Sequence, residues 1–361
     1  MVGVRTFTSS PLAPRERGLE FGAAHADGVR RTAATYADLF ARRGEPGFDA
    51  RGWARRFREA IGDVDPEALA EIAGIAEGAG VDELDVVAVN ARTELLAKAD
   101  PRGERECSTV LVTPVHGPAY AVQTWDWYAA MADSWLQWRI PQPDGSWLET
   151  VTEHGLLAKI GVSSRGVGVM VNMLHHASDD DDDVAIPVHL LSRRILTHAT
   201  SYDEAAAMCH EVAVCASTSL TVLDPGGGET VELFPGGPGV LRPSDGLLVR
   251  TNHFVSEEGR VGCLTFADYP STRIRYDWLH KALRAHAPTS PHDVVKAMDH
   301  HDPAGGVCRH PDADLPPWDR TATLATVVVE PGVPRLRARP GGPCGHKPSR
   351  AAPAASADSS A

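Results

Sequence analysis

The chain has 361 residues, 43% of them hydrophobic, and its charged side chains sum to a net charge of −13. That is enough apolar material to bury a large core, as one big domain or two ordinary ones, while the acidic excess excludes a surface built for nucleic acid, which needs clustered Lys and Arg. No apolar run approaches the about 20 residues that span a bilayer and residues 1–18 lack the apolar stretch of a signal peptide, so a cytoplasmic protein with neither nucleic-acid nor membrane partners is expected.

From Pro14 to Ala97 apolar residues recur at three- and four-residue spacing, as in Trp53, Phe57 and Ile61 and again in Leu69, Ile72 and Ile75, which predicts helices. Breaks fall at Gly44-Glu45-Pro46-Gly47 and at Gly78-Ala79-Gly80, the second followed by the cap-like Asp82. Residues 99–106 are charged and turn-prone and read as an exposed linker. Strands are predicted at 108–113, 119–125, 147–153, 157–162 and 167–172, where β-branched residues alternate between Pro and Gly turns. Amphipathic helices follow at 186–198 and 202–212. Further strands are predicted at 219–223, 230–234, 247–252 and 322–330, with helices at 271–286 and 291–300 between the last two. Helices, strands, helices and strands in that order fit an α+β fold of two antiparallel sheets stacked between helical layers. A parallel βαβ sheet would instead alternate strand and helix strictly. The expected organisation is a mostly helical segment 1–106, a strand-rich segment 107–335 that completes the same fold, and a disordered tail 336–361 rich in Gly, Pro, Ala and Ser.

Six cysteines are scattered without a CxxC pair, which makes neither a disulfide framework nor a zinc-finger pattern. Cys209, Cys215 and Cys263 read as small core hydrophobes. The His175-His176 pair with its following aspartates lacks calcium-loop spacing, and His300-His301-Asp302 and Cys308-Arg309-His310 come without an HExxH or CxxC. No metal and no cofactor are expected.

Cys107 differs from the other thiols because it opens a strand-like run. On position alone, a buried hydrophobe is the commoner explanation of such a cysteine. If the Glu106-Cys107 bond were cut, however, the residue would carry a thiol and an α-amine together. A free α-amine has a pKa of about 7.7–8.0, so one residue would supply both nucleophile and base.

Six short segments, in order, bear on that choice: Asn90-Ala91-Arg92-Thr93-Glu94, Glu106-Cys107-Ser108-Thr109, Gln123-Thr124-Trp125-Asp126-Trp127, Thr251-Asn252-His253-Phe254, Ser271-Thr272-Arg273 and Cys308-Arg309-His310. Together they resemble the isopenicillin-N acyltransferase family of N-terminal-nucleophile hydrolases, from near Gly18 to Glu330. The resemblance implies a four-layer αββα fold, self-cleavage between Glu106 and Cys107, and α and β chains that stay associated. It also implies Cys107 as nucleophile, with Asp126 as a carboxylate near it, where the residue alone also reads as a turn cap. Asn252 would donate to an oxyanion, against an ordinary strand-end asparagine. Arg309 would bind a carboxylate or steady Asp126, against an exposed surface arginine. Asn90, Arg92 and Glu94 would organise the segment before the cleavage point, with a solvated Arg92–Glu94 pair as the alternative.

Trp125 and Trp127 belong to a tryptophan cluster that either lines a pocket for a hydrophobic acyl group or packs the core. A small residue often precedes the nucleophile in the family; Glu106 departs from that pattern, and slow or incomplete cleavage is the corresponding expectation. The function read from these residues is a self-processing cysteine amidohydrolase or acyltransferase acting on a small-molecule amide or acyl donor through an acyl-thioester. An acyl-CoA-dependent N-acyltransferase and a non-catalytic binding protein of the same fold are the alternatives.

Overall fold

The computed structural model describes residues 3–100, 107–179, 182–265 and 269–346. Six helices build the amino-terminal segment: α1 (Pro14–Ala24), α2 (Ala26–Arg43), α3 (Ala50–Val64), α4 (Pro66–Ala79), α5 (Glu83–Asn90) and α6 (Arg92–Ala99). Three begin on an aspartate whose carboxylate accepts a backbone N–H of the first turn, Asp49 from Gly52, Asp65 from Ala68 and Asp82 from Leu84, satisfying donors the helix itself leaves unpaired. Gly80, in the left-handed region at φ 64°, ends α4. A spacing not weighed in the sequence explains how α1 meets α4. Gly18 and Gly22 on one helix face Gly74 and Gly78 on the other, and a Cβ added at any of them would fall 2.1–2.4 Å from a backbone oxygen of the partner helix.

Two sheets follow. The larger has eight strands in the order β1 (Thr6–Thr8), β4 (Trp135–Pro141), β5 (Trp147–Glu153), β6 (Ile160–Ser163), β7 (Gly168–Met173), β8 (Thr218–Asp224), β9 (Gly227–Phe234) and β10 (Gly237–Leu241). All its neighbours are antiparallel except β1 against β4. The smaller sheet runs β11 (Leu247–Arg250), β2 (Cys107–Val112), β3 (Tyr120–Tyr128), β12 (Thr321–Glu330), β13 (Arg335–Pro340), antiparallel throughout. The sheets stack face to face and are tied across by polar bonds as well as by the core. Thr109 Oγ1 on β2 meets Asn172 Oδ1 on β7 at 2.7 Å, and Gln123 Nε2 on β3 donates to the Val171 carbonyl at 2.6 Å.

Helices α7 (Val188–His198) and α8 (Tyr202–His210) cover the outer face of the larger sheet. The one-turn helix α9 (Glu257–Arg260) lies near β10. Helices α10 (Ser271–Ala285) and α11 (Pro291–Met298) cover the smaller sheet, where Leu279, Leu283, Val294 and Met298 meet Val110 and Val122. The four layers are therefore αββα. Among the described residues, no helix is long and apolar enough to cross a membrane.

The expected tail boundary at 336 is corrected: β13 carries Arg335, Arg337 and Arg339 around the buried Leu336 and pairs with β12 as a charged sheet edge. An edge strand needs charge to resist pairing with other chains, which is why it reads as unstructured by composition. Residues 347–361 lie outside the described residues.

Candidate active site

Cys107 is the first residue of β2 and is 5% exposed. Its backbone is held on both sides by buried side chains. The amide donates to Asn252 Oδ1 at 2.8 Å, and the carbonyl accepts from Arg275 Nη1 at 2.8 Å. Arg275 also reaches Ser108 Oγ at 2.9 Å and, through Nη2, Asn252 Oδ1 at 3.0 Å. Asn252 Oδ1 thus takes two donors while its Nδ2 donates to the Met173 carbonyl at 2.9 Å, a pattern that fixes which end of the amide is which. Among the described residues, the second Nδ2 hydrogen has no acceptor. The Asn252 amide donates to Thr272 Oγ1 at 2.9 Å, so the end of β11 and the start of α10 are joined at this point. Glu106 lies outside the described residues.

Burial pushes the Cys107 thiol up, with the Asp126 charge adding to the effect, while Lys159, the Asp126 amide and Arg275 pull the other way. A thiol in that setting requires a base to react. Asp126 sits on β3, 1% exposed, opposite the bulge where β12 shifts register between Thr323 and Ala325. Its Oδ1 accepts from Thr323 Oγ1 at 2.6 Å, and its Oδ2 is buried with no hydrogen-bond partner among the described residues. Burial lifts this carboxyl to about 7 against the pull of Thr323 and Arg275. Arg309 lies on the far side of the same threonine, its amide donating to Thr323 Oγ1 at 2.9 Å and its carbonyl accepting from the Thr323 amide at 3.1 Å. Arg309 lines a cleft of about 680 Å³ whose other walls include Tyr269, Ser271, His301 and Cys308. Two of its lining residues adjoin the centre, Ser271 as the neighbour of Thr272 and Arg309 through Thr323.

Below Cys107 a buried charge cluster links the helical segment to the sheets. Glu153 on β5 accepts from Arg92 Nε at 2.9 Å and from the Tyr36 hydroxyl, and faces Lys159 Nζ at 3.8 Å. The Arg92 guanidinium stands 4.5 Å from the Trp127 ring, and Lys159 Nζ stands 3.4 Å from the ring of Trp125, which pairs directly with Cys107 across β2 and β3. Burial and then the Arg92 charge hold Lys159 well below the usual lysine range. The structure therefore places Trp125 and Trp127 in the interior, as the aromatic floor over which two cations sit, and neither lines the cleft beside Arg309. The solvated Arg92–Glu94 pair is likewise replaced: Arg92 turns to Glu153, while Glu94 Oε1 accepts the Val188 amide that opens α7 at 2.8 Å. Asn90 bonds the Gly155 carbonyl at 2.8 Å and the Leu157 amide at 3.1 Å.

The structure thus gathers Cys107, Asn252 and Asp126, with Arg309 one threonine away. It adds Arg275, which the sequence reading passed over in favour of the neighbouring Ser271-Thr272-Arg273. Arg275 lies three positions after Thr272, so both fall on the helix face toward Cys107. Arg273 points outward to Asp277, with its side chain 70% exposed.

Residues 114–343 match the family described as acyl-coenzyme A:6-aminopenicillanic acid acyl-transferase, a match that begins after Cys107. A relative from Emericella nidulans, the acyl-coenzyme A:6-aminopenicillanic-acid-acyltransferase 40 kDa form, is 29% identical over 196 residues, covering 54% of each chain. The chain spans about half the length of that curated relative. Among solved structures, penicillin V acylase from Agrobacterium tumefaciens is similar at 13% identity and a TM-score of 0.42, over 65% of this chain and 83% of that one.

Proposed function

Because the chain belongs to the acyl-coenzyme A:6-aminopenicillanic acid acyl-transferase family, we propose that it breaks or forms small amide bonds by carrying an acyl group on Cys107. The observation that supports this reading is the two-sided grip on one strand-opening cysteine, with Asn252 on its nitrogen and Arg275 on its carbonyl. A residue whose backbone is fixed on both sides keeps its position when the peptide bond before it is opened.

In the proposed sequence, the Cys107 thiol first attacks the Glu106 carbonyl and water opens the resulting thioester, leaving a carboxylate on Glu106 and a free amine on Cys107. That amine then takes the proton of its own thiol as the sulfur attacks a substrate amide. The carbonyl oxygen becomes an oxyanion facing the spare Asn252 Nδ2 hydrogen. Collapse breaks the C–N bond, and the departing amine receives the proton. The acyl-thioester passes to water in hydrolysis or to a second amine in transfer. Asp126, with one oxygen unpartnered among the described residues, would hold the charged form of the new amine.

The test is intact mass of purified protein, followed by a panel of N-acyl amides run beside an acyl-CoA assay. Two fragments meeting at the 106/107 boundary, and an acyl adduct on the fragment beginning with Cys107, are the expected results. A single chain that stays uncut, turns over nothing and leaves Cys107 unlabelled by iodoacetamide would sink the proposal. With a substrate from that panel, Arg275→Met is expected to slow turnover about 100-fold by loosening both Asn252 and the Cys107 carbonyl. Arg275→Lys should recover only part of the loss, because a single ammonium cannot reach three acceptors as a planar fork does. Full activity in Arg275→Met would remove that residue from the site.

A further inference from the structure

We propose that His301, Cys308, His310 and Cys344 form a tetrahedral zinc site beside the cleft. The ligand atoms of these four side chains all lie within 4.8 Å of one another. The two sulfurs are 3.4 Å apart and the two histidine Nε2 atoms 2.9 Å apart. His310 Nε2 is 3.8 Å from Cys308 Sγ and 3.6 Å from Cys344 Sγ. Zinc binds thiolate sulfur at about 2.3 Å and imidazole nitrogen at about 2.0–2.1 Å, and a tetrahedron of those radii has edges of about 3.8 Å between sulfurs, about 3.3 Å between nitrogens and about 3.6 Å between sulfur and nitrogen. These four edges fall within about 0.5 Å of their zinc counterparts, while the remaining two, from His301 to the sulfurs, reach no further than 4.8 Å, so His301 would draw in on the ion.

Two thiols and two imidazoles of this geometry match the donor set that selects zinc among the common divalent ions. A disulfide is a poorer account, because its sulfurs would stand about 2.05 Å apart and it would leave both histidines without a role. Outer groups fit a metal as well. Asp299 Oδ1 faces His301 Nδ1 at 3.6 Å, on the side of the ring away from the cluster, and the His346 amide donates to Cys344 Sγ at 3.4 Å. A carboxylate behind a histidine and an amide on a thiolate are the partners that orient ligands and steady their charge.

The set is invisible as a motif because the fold, and not local spacing, assembles it. His301 comes from the loop after α11, Cys308 and His310 from the approach to β12, and Cys344 from the turn after β13. Four protein ligands close the coordination sphere, so the role is structural. The ion would staple the end of the smaller sheet to the loop around Arg309, whose two neighbours in sequence are both ligands. The same clamp would hold Arg309 against Thr323, and through it Asp126.

The experiment uses the tag-free full-length protein, purified in reducing buffer without chelator, and reads metal by mass spectrometry; no substrate is involved, so its outcome is independent of the proposed catalysis. About one zinc per chain is expected, and replacement by cobalt should give the visible and thiolate charge-transfer absorption of a tetrahedral site. Cys344→Ser and His310→Ala should each lose the ion. His346→Ala, whose ring lies 4.5 Å from that of His310 but outside the cluster, should keep it. Should a variant fail to fold, the cobalt spectrum of the unsubstituted protein still decides. The proposal is overturned if zinc-treated, desalted protein carries no metal, if its mass shows a Cys308–Cys344 disulfide without metal, or if the ion persists in the Cys344→Ser, His310→Ala double variant.

Discussion

A Cys107→Ala protein is expected to run as one uncut chain and to lose turnover by a factor on the order of 10⁴ or more. The substitution removes a single sulfur and leaves intact the two bonds that hold the residue, from its amide to Asn252 and from Arg275 to its carbonyl. Loss of function without loss of fold is therefore the specific outcome. Far-ultraviolet circular dichroism and a denaturation midpoint close to those of the unsubstituted protein would establish that the fold survives. Cys107→Ser should cleave slowly, since a hydroxyl is far harder to deprotonate than a thiol. Scission of Cys107→Ala at the 106/107 bond would show that another group cuts the chain, and self-processing would have to be given up.

Glu153→Ala should be strongly destabilising. Glu153 is fully buried and is the carboxylate that Arg92 and Lys159 share, while Tyr36 donates to it as well. Without it, the buried Arg92 guanidinium over the Trp127 ring loses the carboxylate it is bonded to, and the buried Lys159 loses its neighbouring anion. Removing one partner of a buried ion pair costs about 3–5 kcal/mol because the orphaned charge stays in a poorly solvated place. A domain's whole stability is only about 5–15 kcal/mol, so much of the protein should be lost to aggregation or proteolysis. Urea titration of the soluble fraction would measure the change, and a midpoint within error of the unsubstituted protein would refute the account. Glu153→Gln should be milder, since it retains the volume and an acceptor for Tyr36.

How far the sequence exposes this molecule depends on which physical signal each part carries. The helices of the first segment, the stacked sheets and their covering helices follow from periodicity and turn chemistry, and the structure matches that order. Strand β4 escaped because only a short 3-10 turn, Ala129–Met131, separates it from β3, with neither glycine nor proline to mark the change of direction. Strand β13 escaped because an edge is built from charge. Cys107, Asp126 and Asn252 lie together although their elements are distant in sequence, a juxtaposition that local patterns cannot display. Arg275 was missed because its neighbour Arg273 has the same chemistry, and only the phase of a helix distinguishes the inward arginine from the outward one. The segments His300-His301-Asp302 and Cys308-Arg309-His310 were each set aside as metal ligands on spacing, and nothing in the sequence joins them to Cys344; spacing speaks only to sites held within one local motif.

The close contact of α1 with α4 constrains how this sequence can drift. Each of Gly18, Gly22, Gly74 and Gly78 occupies a place where even a methyl group would strike main chain, and main chain cannot rotate aside as a side chain does. No side chain fits at these four positions without moving a helix, and no compensating change on the facing helix can restore room, since the atoms in the way are the main-chain oxygens of Glu71, Ile75, Arg15 and Leu19, which every substitution retains. The pair is locked together as a unit: a lineage keeps all four, or it must rebuild the crossing of both helices at once.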